Sequence, residues 1–345
     1  MFDQIPSFET LHAYIFDAER IPFAVLAIVL VHLIGVITGP RAGNANPMVW
    51  IWIDSLFGWL GDRLDKKQRK KADLAFRGFI IMAVVLVLFI LFGEVCEYLT
   101  GRYEYYGLVQ AVLIALALSG GGVYFVLLRL YFALEKREEL LKGAYYGVAR
   151  TSRINLNTTD DYGITRVGMA MAARSFDKGI VAPVFWYLVG GFTGLFAYSA
   201  IAALAWRFGK DGFSKGFGDV PLAIEKLLGV VPSLLATVLI CMASIFTPTA
   251  NILKSITSWW GKGAPYAQGG HPVTAMAWTL NVTLGGPVKD LSGSTVKLDW
   301  VGPKGATAKI DHGHLRRALY INLMAQLLFI VTLLGAYIWS SYLLP

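Results

Sequence analysis

The sequence predicts an all-α integral membrane protein of about six transmembrane helices. They are joined by large loops at 39–77, 133–179 and 251–317 within one domain, 1–345. Three observations lead there. Apolar residues make up 56% of the chain and charged residues only 16%, whereas a soluble domain is about one-quarter charged. Mean hydropathy is +0.55. Six stretches are long and apolar enough to cross a bilayer, which takes about 20 residues. This composition excludes a soluble enzyme, a disordered regulator and a nucleic-acid-binding domain.

The stretches lie at 21–38, 78–99, 107–132, 180–206, 227–250 and 318–343. The first is not a cleavable signal, because Asp3, Glu9, Asp17 and Glu19 precede it where a signal would be basic. Gly120–Gly122 in the third allows close helix approach or a kink. His32, alone on an apolar helix, reads as a hydrogen-bonded packing residue. Cys96 and Cys241, both in apolar runs, read as buried small hydrophobes rather than a disulfide.

The net charge is +8. Each of the three large loops holds eight Lys and Arg, whereas the N-terminus, the 100–106 turn, the 207–226 connection and the C-terminus together hold six. The large basic loops alternate along the chain. The positive-inside bias therefore sets them in the cytoplasm, with both termini outside, in a bacterial inner membrane. Their partner is the lipid bilayer, and 62-DRLDKKQRKK-71 suits anionic headgroups.

Within the loops, 133–150 has helical periodicity with a Glu138–Lys142 pair. Asn157 to Asp161 reads as a turn or cap before a helical run over 163–178. Segment 251–317 is broken by Gly and Pro, and 278–284 and 294–300 read as short strands or an interfacial hairpin. No phosphate loop, dinucleotide fingerprint, His-Glu-x-x-His or Cys-x-x-Cys occurs. Asp311, His312 and His314 read as a polar loop for want of a further ligand. The midplane lacks the paired broken spans with ionisable residues of a transporter.

Three segments resemble one family: 39-GPRAGNANPMVWIWIDSLFGWLGDRLDK-66, 144-AYYGVARTSRINLNTTDDYGITRVGMAMAARSFDKGIVAPVFWYLVGG-191 and 271-HPVTAMAWTLNVTLGGP-287. They are similar, in order and spacing, to the CobD/CbiB membrane proteins of cobalamin biosynthesis, the adenosylcobinamide-phosphate synthases. The most specific pieces are Gly179 to Pro183 and Leu284 to Pro287. The resemblance implies amide condensation between adenosylcobyric acid and aminopropanol phosphate, with ATP and Mg²⁺ as cofactors and a corrinoid as substrate. Candidate residues are Asp160, Asp161, Asp177 and His271 for catalysis or metal. Arg150, Arg153, Arg166, Arg174, Lys178, Gly285 and Gly286 are candidates for phosphate and substrate.

The departures from the family pattern are chemical. Ile154 follows Arg153 where the family has Asp. Arg174–Ser175 stands at its Glu-Asn pair and Lys178 at the Asp before Gly. Ser199, Ala202 and Ala205 stand where its next helix has Lys, Asn and Asp, and Asn46–Pro47 replaces a His-Pro. The alternative expectation is thus a non-catalytic relative, a scaffold, sensor or accessory subunit working with other membrane proteins. AmpE, an inner-membrane protein linked to β-lactamase regulation, is similar in lacking the acidic motifs and in its segment matching 182-APVFWYLVGG-191.

Overall fold

The computed structural model describes residues 17–66, 68–102, 107–136, 141–209, 216–248, 250–261, 263–291 and 293–343. The expected Glu138–Lys142 pair falls partly outside them. Five helices are long and apolar enough to cross a membrane, and a bent helix pair makes a sixth. The all-α membrane class therefore holds.

The first span, α1 (Ile21–Thr38), leads to α2 (Met48–Leu64), an amphipathic helix in the first basic loop, and to the long α3 (Lys71–Arg102). The third span is broken: α4 (Gly107–Leu116) and α5 (Gly121–Lys136) meet at 47°. Glycine causes the close approach here. A Cβ on Gly35 would lie 2.3 Å from the backbone nitrogen of Gly122, so α1 and α5 cross in backbone contact. His32 beside this crossing hydrogen-bonds Ile28 O and Gln326, as a packing residue should.

The next apolar stretch differs most from expectation. The helical run expected over 163–178 does lead into it: α7 (Asp161–Phe176) runs through a π-helical turn, Asp177–Val181, into α8 (Ala182–Phe208), and the departure lies within α8. Asp160 caps α7 through a carboxylate oxygen that accepts from Gly163 N at 2.9 Å. At Gly190 and Gly191 (φ +56°) the chain leaves helical geometry and folds back. The Trp186 and Tyr198 rings stack with centroids 6.5 Å apart, where 12 residues of straight helix would separate them by roughly 18 Å. In a bilayer such a break strands backbone groups that water cannot reach. Two side chains meet that need: Glu97 accepts from Phe192 N at 2.9 Å, and Arg20 donates to Tyr187 O and pairs with Glu97 at 3.2 Å. The carboxylate thus faces the positive end of one half-helix and the guanidinium the negative end of the other.

This reversal moves the 207–226 connection, expected opposite the large basic loops, to their side. Arg207 pairs with Asp54 and Asp62 of α2, Trp206 Nε1 donates to Thr151 O, and Lys71 pairs with Asp219 at 3.0 Å. Hydropathy alone reads a folded-back helix as a single crossing, which is why the sequence put the connection opposite.

After α9 (Asp219–Ala243) the chain forms a short α10 (Ile252–Thr257), α11 (Gly270–Thr279), a hairpin of β1 (Leu284–Lys289) and β2 (Thr295–Val301), and the last span α12 (His312–Leu343). The hairpin exists as expected, but its first strand lies six residues later than 278–284. A helix led by His271–Pro272 takes up residues as far as Thr279, and a turn follows before β1, since proline is well placed in a first turn. The Asp311 and His314 side chains pair with each other at 2.7 Å in the turn before α12. Both cysteines are free and buried.

A Gly191→Ala variant tests the reversal. A Cβ there would meet the Glu97 carboxylate at 2.6 Å in a backbone conformation only glycine adopts readily. Thermal unfolding of the purified protein in detergent should show a loss of about 1–3 kcal/mol. Unchanged stability would contradict the geometry.

Candidate functional site

Two neighbouring cavities share Arg174 and Ala267 in their walls. The outer cleft lies between α7, the end of α6 (Leu141–Ser152), the Tyr266–Gln268 turn and the hairpin, and has a volume of about 70 Å³. Arg166, Ala170 and Arg174 recur every fourth residue, which sets them along one face of α7. The small Ala170 leaves floor space between two arginines whose Cα atoms are roughly 12 Å apart along the axis. Opposite them stand Lys289 and Asp290, with Val288, Val296 and Leu298 as an apolar wall.

Arg166 is held in place. It donates to Ala308 O at 2.8 Å, its guanidinium lies 5.3 Å from the Trp300 ring centroid, and Asp160 is 4.0 Å away. Arg174, by contrast, makes no hydrogen bond or ion pair with any described residue. The hairpin wall depends on glycine: Gly285 and Gly286 (φ +93° and +91°) make a bulge between β1 and β2. Gly285 lines the cleft, whereas Gly286 is covered by the Trp300 ring. Asn155 N donates to Lys289 O at 2.8 Å and fastens the hairpin to the loop after α6.

The inner cavity, about 20 Å³, is lined by Trp50, Arg174, Lys178, Ala202, Ala205, Trp206 and Glu225, among others. It has room for about one water. Here Lys178 Nζ lies 2.9 Å from Glu225 Oε2 and 4.0 Å from the Tyr266 ring centroid. Tyr266 and Tyr198 hydroxyls donate to Glu225 Oε1 at 2.7 and 3.4 Å. Glu225 is wholly buried. Burial and the Glu225 carboxylate push the Tyr266 phenol well above its usual range, so it remains a donor. Asp177, on the π-helical turn, accepts from Ser233 Oγ at 3.1 Å.

The other sequence candidates lie apart from this pair of cavities. Asp160 and Asp161 start α7, roughly 24 Å along the helix from Asp177, so the three carboxylates share no metal. Arg150 is exposed and donates to Tyr146. Arg153 (φ +52°) ends α6 near Asp54 and above the Trp206 ring. Burial and the neighbouring Arg207 lower it to about 10, which leaves it a cation at neutral pH and a brace between loops. His271 is exposed and stacks on Trp259. Among the described residues, no group of three or more His, Cys, Asp or Glu is placed to hold a metal ion.

Sequence reasoning missed Glu225, Tyr266, Lys289 and Asp290. A signal for Glu225 existed: Pro221, Glu225, Gly229 and Ser233 recur every fourth residue and are all buried, so a carboxylate lay on the packed face. Nothing local marks the hairpin residues, which reach the cleft through tertiary pairing.

Fold and cavities define a polytopic all-α membrane protein with a cation-lined cleft beside its membrane core. The chain matches the family model described as "CobD/Cbib protein" over residues 25–322, and it belongs to that family. It is similar to proteins named cobalamin biosynthesis protein CobD. The one from Brucella anthropi is 31% identical over 45% of this chain and 49% of its own length. The Sinorhizobium sp protein is 25% identical over 76% and 81%, and that of Rhizobium meliloti 26% over 79% and 83%. The chain thus spans about half the length of the first of these relatives and over four-fifths of the other two. No solved structure matches.

Replacing Lys178 by Met leaves the Glu225 carboxylate buried without its counter-ion. The expected cost is about 3–5 kcal/mol in thermal unfolding. The double variant Lys178→Met with Glu225→Gln should recover most of it. Equal stability of parent and single variant would refute the pairing.

Proposed function

We propose that this chain serves cobalamin biosynthesis from within the inner membrane as a binding protein for an anionic pathway intermediate. The large basic loops then face the cytoplasm. In this reading the chain does not itself perform the ATP- and Mg²⁺-dependent amide condensation that the family resemblance implies. The make-up of the inner cavity is the observation behind it. Four positions matched by sequence to family motif residues, Arg174, Lys178, Ala202 and Ala205, line that one small space. Two are cations where the family has acids, and two are alanines where it has Asn and Asp. The remaining carboxylate, Glu225, is neutralised by an ammonium 2.9 Å away. A divalent cation needs several oxygen ligands, and this set does not fit one.

The outer cleft fits an oxyanion instead. Its three cations and one carboxylate leave a charge of +2, matching a phosphomonoester of about −1.5 to −2. Arg166 and Arg174 would donate to the phosphate oxygens and Lys289 would add a point charge. The apolar hairpin wall keeps water out and strengthens both interactions. A volume of about 70 Å³ suits one phosphate rather than a nucleotide or a corrin ring, so the body of the ligand stays outside.

Complementation tests the catalytic half. In a strain lacking the synthase and fed cobyric acid, the chain expressed alone, with its level confirmed by immunoblot, should give no growth. Growth would overturn the reading. In nanodiscs, aminopropanol phosphate should bind the parent roughly 10- to 100-fold more tightly than Arg174→Ala, the range expected for charged hydrogen bonds. Equal affinity would remove the cleft from the account.

A further inference from the structure

A third cavity, the largest of the three at about 430 Å³, lies away from the cleft, between α1, the bent α4–α5 pair and the turn after α1. Its lower walls are apolar: Leu30, Val31, Ile34, Val112 and Leu116 line it. Ile34 and Val112 are half-exposed and stand on transmembrane helices, so this end of the groove opens toward lipid. Its upper rim is polar, formed by Thr38, Arg41, Asn44 and Asn46. Arg41 is exposed, and its hydrogen-bond partner among the described residues is the Met48 sulfur, at 3.6 Å. No described carboxylate pairs with it.

The groove follows from the glycine contact between α1 and α5. Where Gly35 and Gly121–Gly122 bring the backbones together, the larger side chains to either side stand as walls. The 47° break keeps α4 from closing the gap. From Leu30 to Thr38 the groove runs roughly 12 Å along α1, close to the depth of one leaflet of a core about 30 Å thick.

We propose that this groove is a binding site for one anionic phospholipid, its acyl chain between α1 and α4 and its headgroup phosphate on Arg41. The occupant follows from three features together: an apolar slot opening to lipid, a length of one leaflet, and a cation without a carboxylate partner where the headgroup would lie. The site is separate from the oxyanion cleft and does not depend on the proposed function.

The test is native mass spectrometry of the full chain released from nanodiscs of phosphatidylethanolamine and phosphatidylglycerol. The parent should retain about one phosphatidylglycerol per chain. Arg41→Gln should reduce retention roughly fivefold, the effect of about 1 kcal/mol per basic residue at a membrane surface. Gly122→Leu fills the groove without removing charge. Its Cβ meets no atom closer than 3.8 Å, and with an unfolding temperature like the parent's as the check on folding, retention should be lost. Arg102→Gln, at the far end of α3 and outside the basic loops, should retain lipid as the parent does. Equal retention in Gly122→Leu, or phosphatidylethanolamine held as well as phosphatidylglycerol, would overturn the proposal. So would loss of lipid in Arg102→Gln equal to that in Arg41→Gln.

Discussion

The buried ion pair between Lys178 and Glu225 ties the molecule together. It joins the π-helical turn to α9, and through the Glu225 oxygens it reaches Tyr198 on the returning half of α8 and Tyr266 in the turn before α11. Four segments thus meet on one carboxylate. A charge in that position is costly alone and tolerable only when every lone pair is engaged. That condition constrains the neighbourhood: the π-helical turn aims Lys178 inward, the Gly190–Gly191 reversal brings Tyr198 back to its level, and Tyr266, next to the Ala267 that both cavities share, donates to the carboxylate.

The same constraint divides the chemistry. The inner cavity has its charges satisfied from within and holds about one water's volume. Arg174, one turn before Lys178, borders both spaces and has no described partner. Positive charge is therefore spent internally at Lys178, whereas Arg174 and Arg166, the latter also beside Asp160 at 4.0 Å, line the outer cleft. In the proposed reading, a base at a position where the family resemblance expects an acid does more than remove a ligand, because Lys178 neutralises Glu225 from within.

Much of the fold was legible in the sequence because hydropathy reads membrane crossings directly. The spans, the Asp160 cap and the 163–178 helix were all readable. The hairpin was readable as an element but not in register, since a proline-led helix runs to Thr279 and a turn follows it before the strand begins at Leu284. The reversal at Gly190–Gly191 was hidden. Two apolar half-helices joined by two glycines look like one long span until the side chains that satisfy the break, Glu97 and Arg20, are seen to come from elsewhere. The site was half legible. Arg166 and Arg174 share a helical face and could be grouped by spacing, while Glu225, Tyr266 and Lys289 arrive from distant segments. Arg153 stands as a brace between loops, and Asp160 as the helix cap that its place before 163–178 indicated.

The central claim is that Lys178 occupies, with its own charge, the place a divalent cation would need. Titration of Mn²⁺ into the full chain in nanodiscs of zwitterionic lipid, followed by electron paramagnetic resonance, addresses it directly. The account predicts that the signal stays that of free Mn²⁺ throughout. A saturable site of about one ion per chain, abolished by Glu225→Gln, would contradict it.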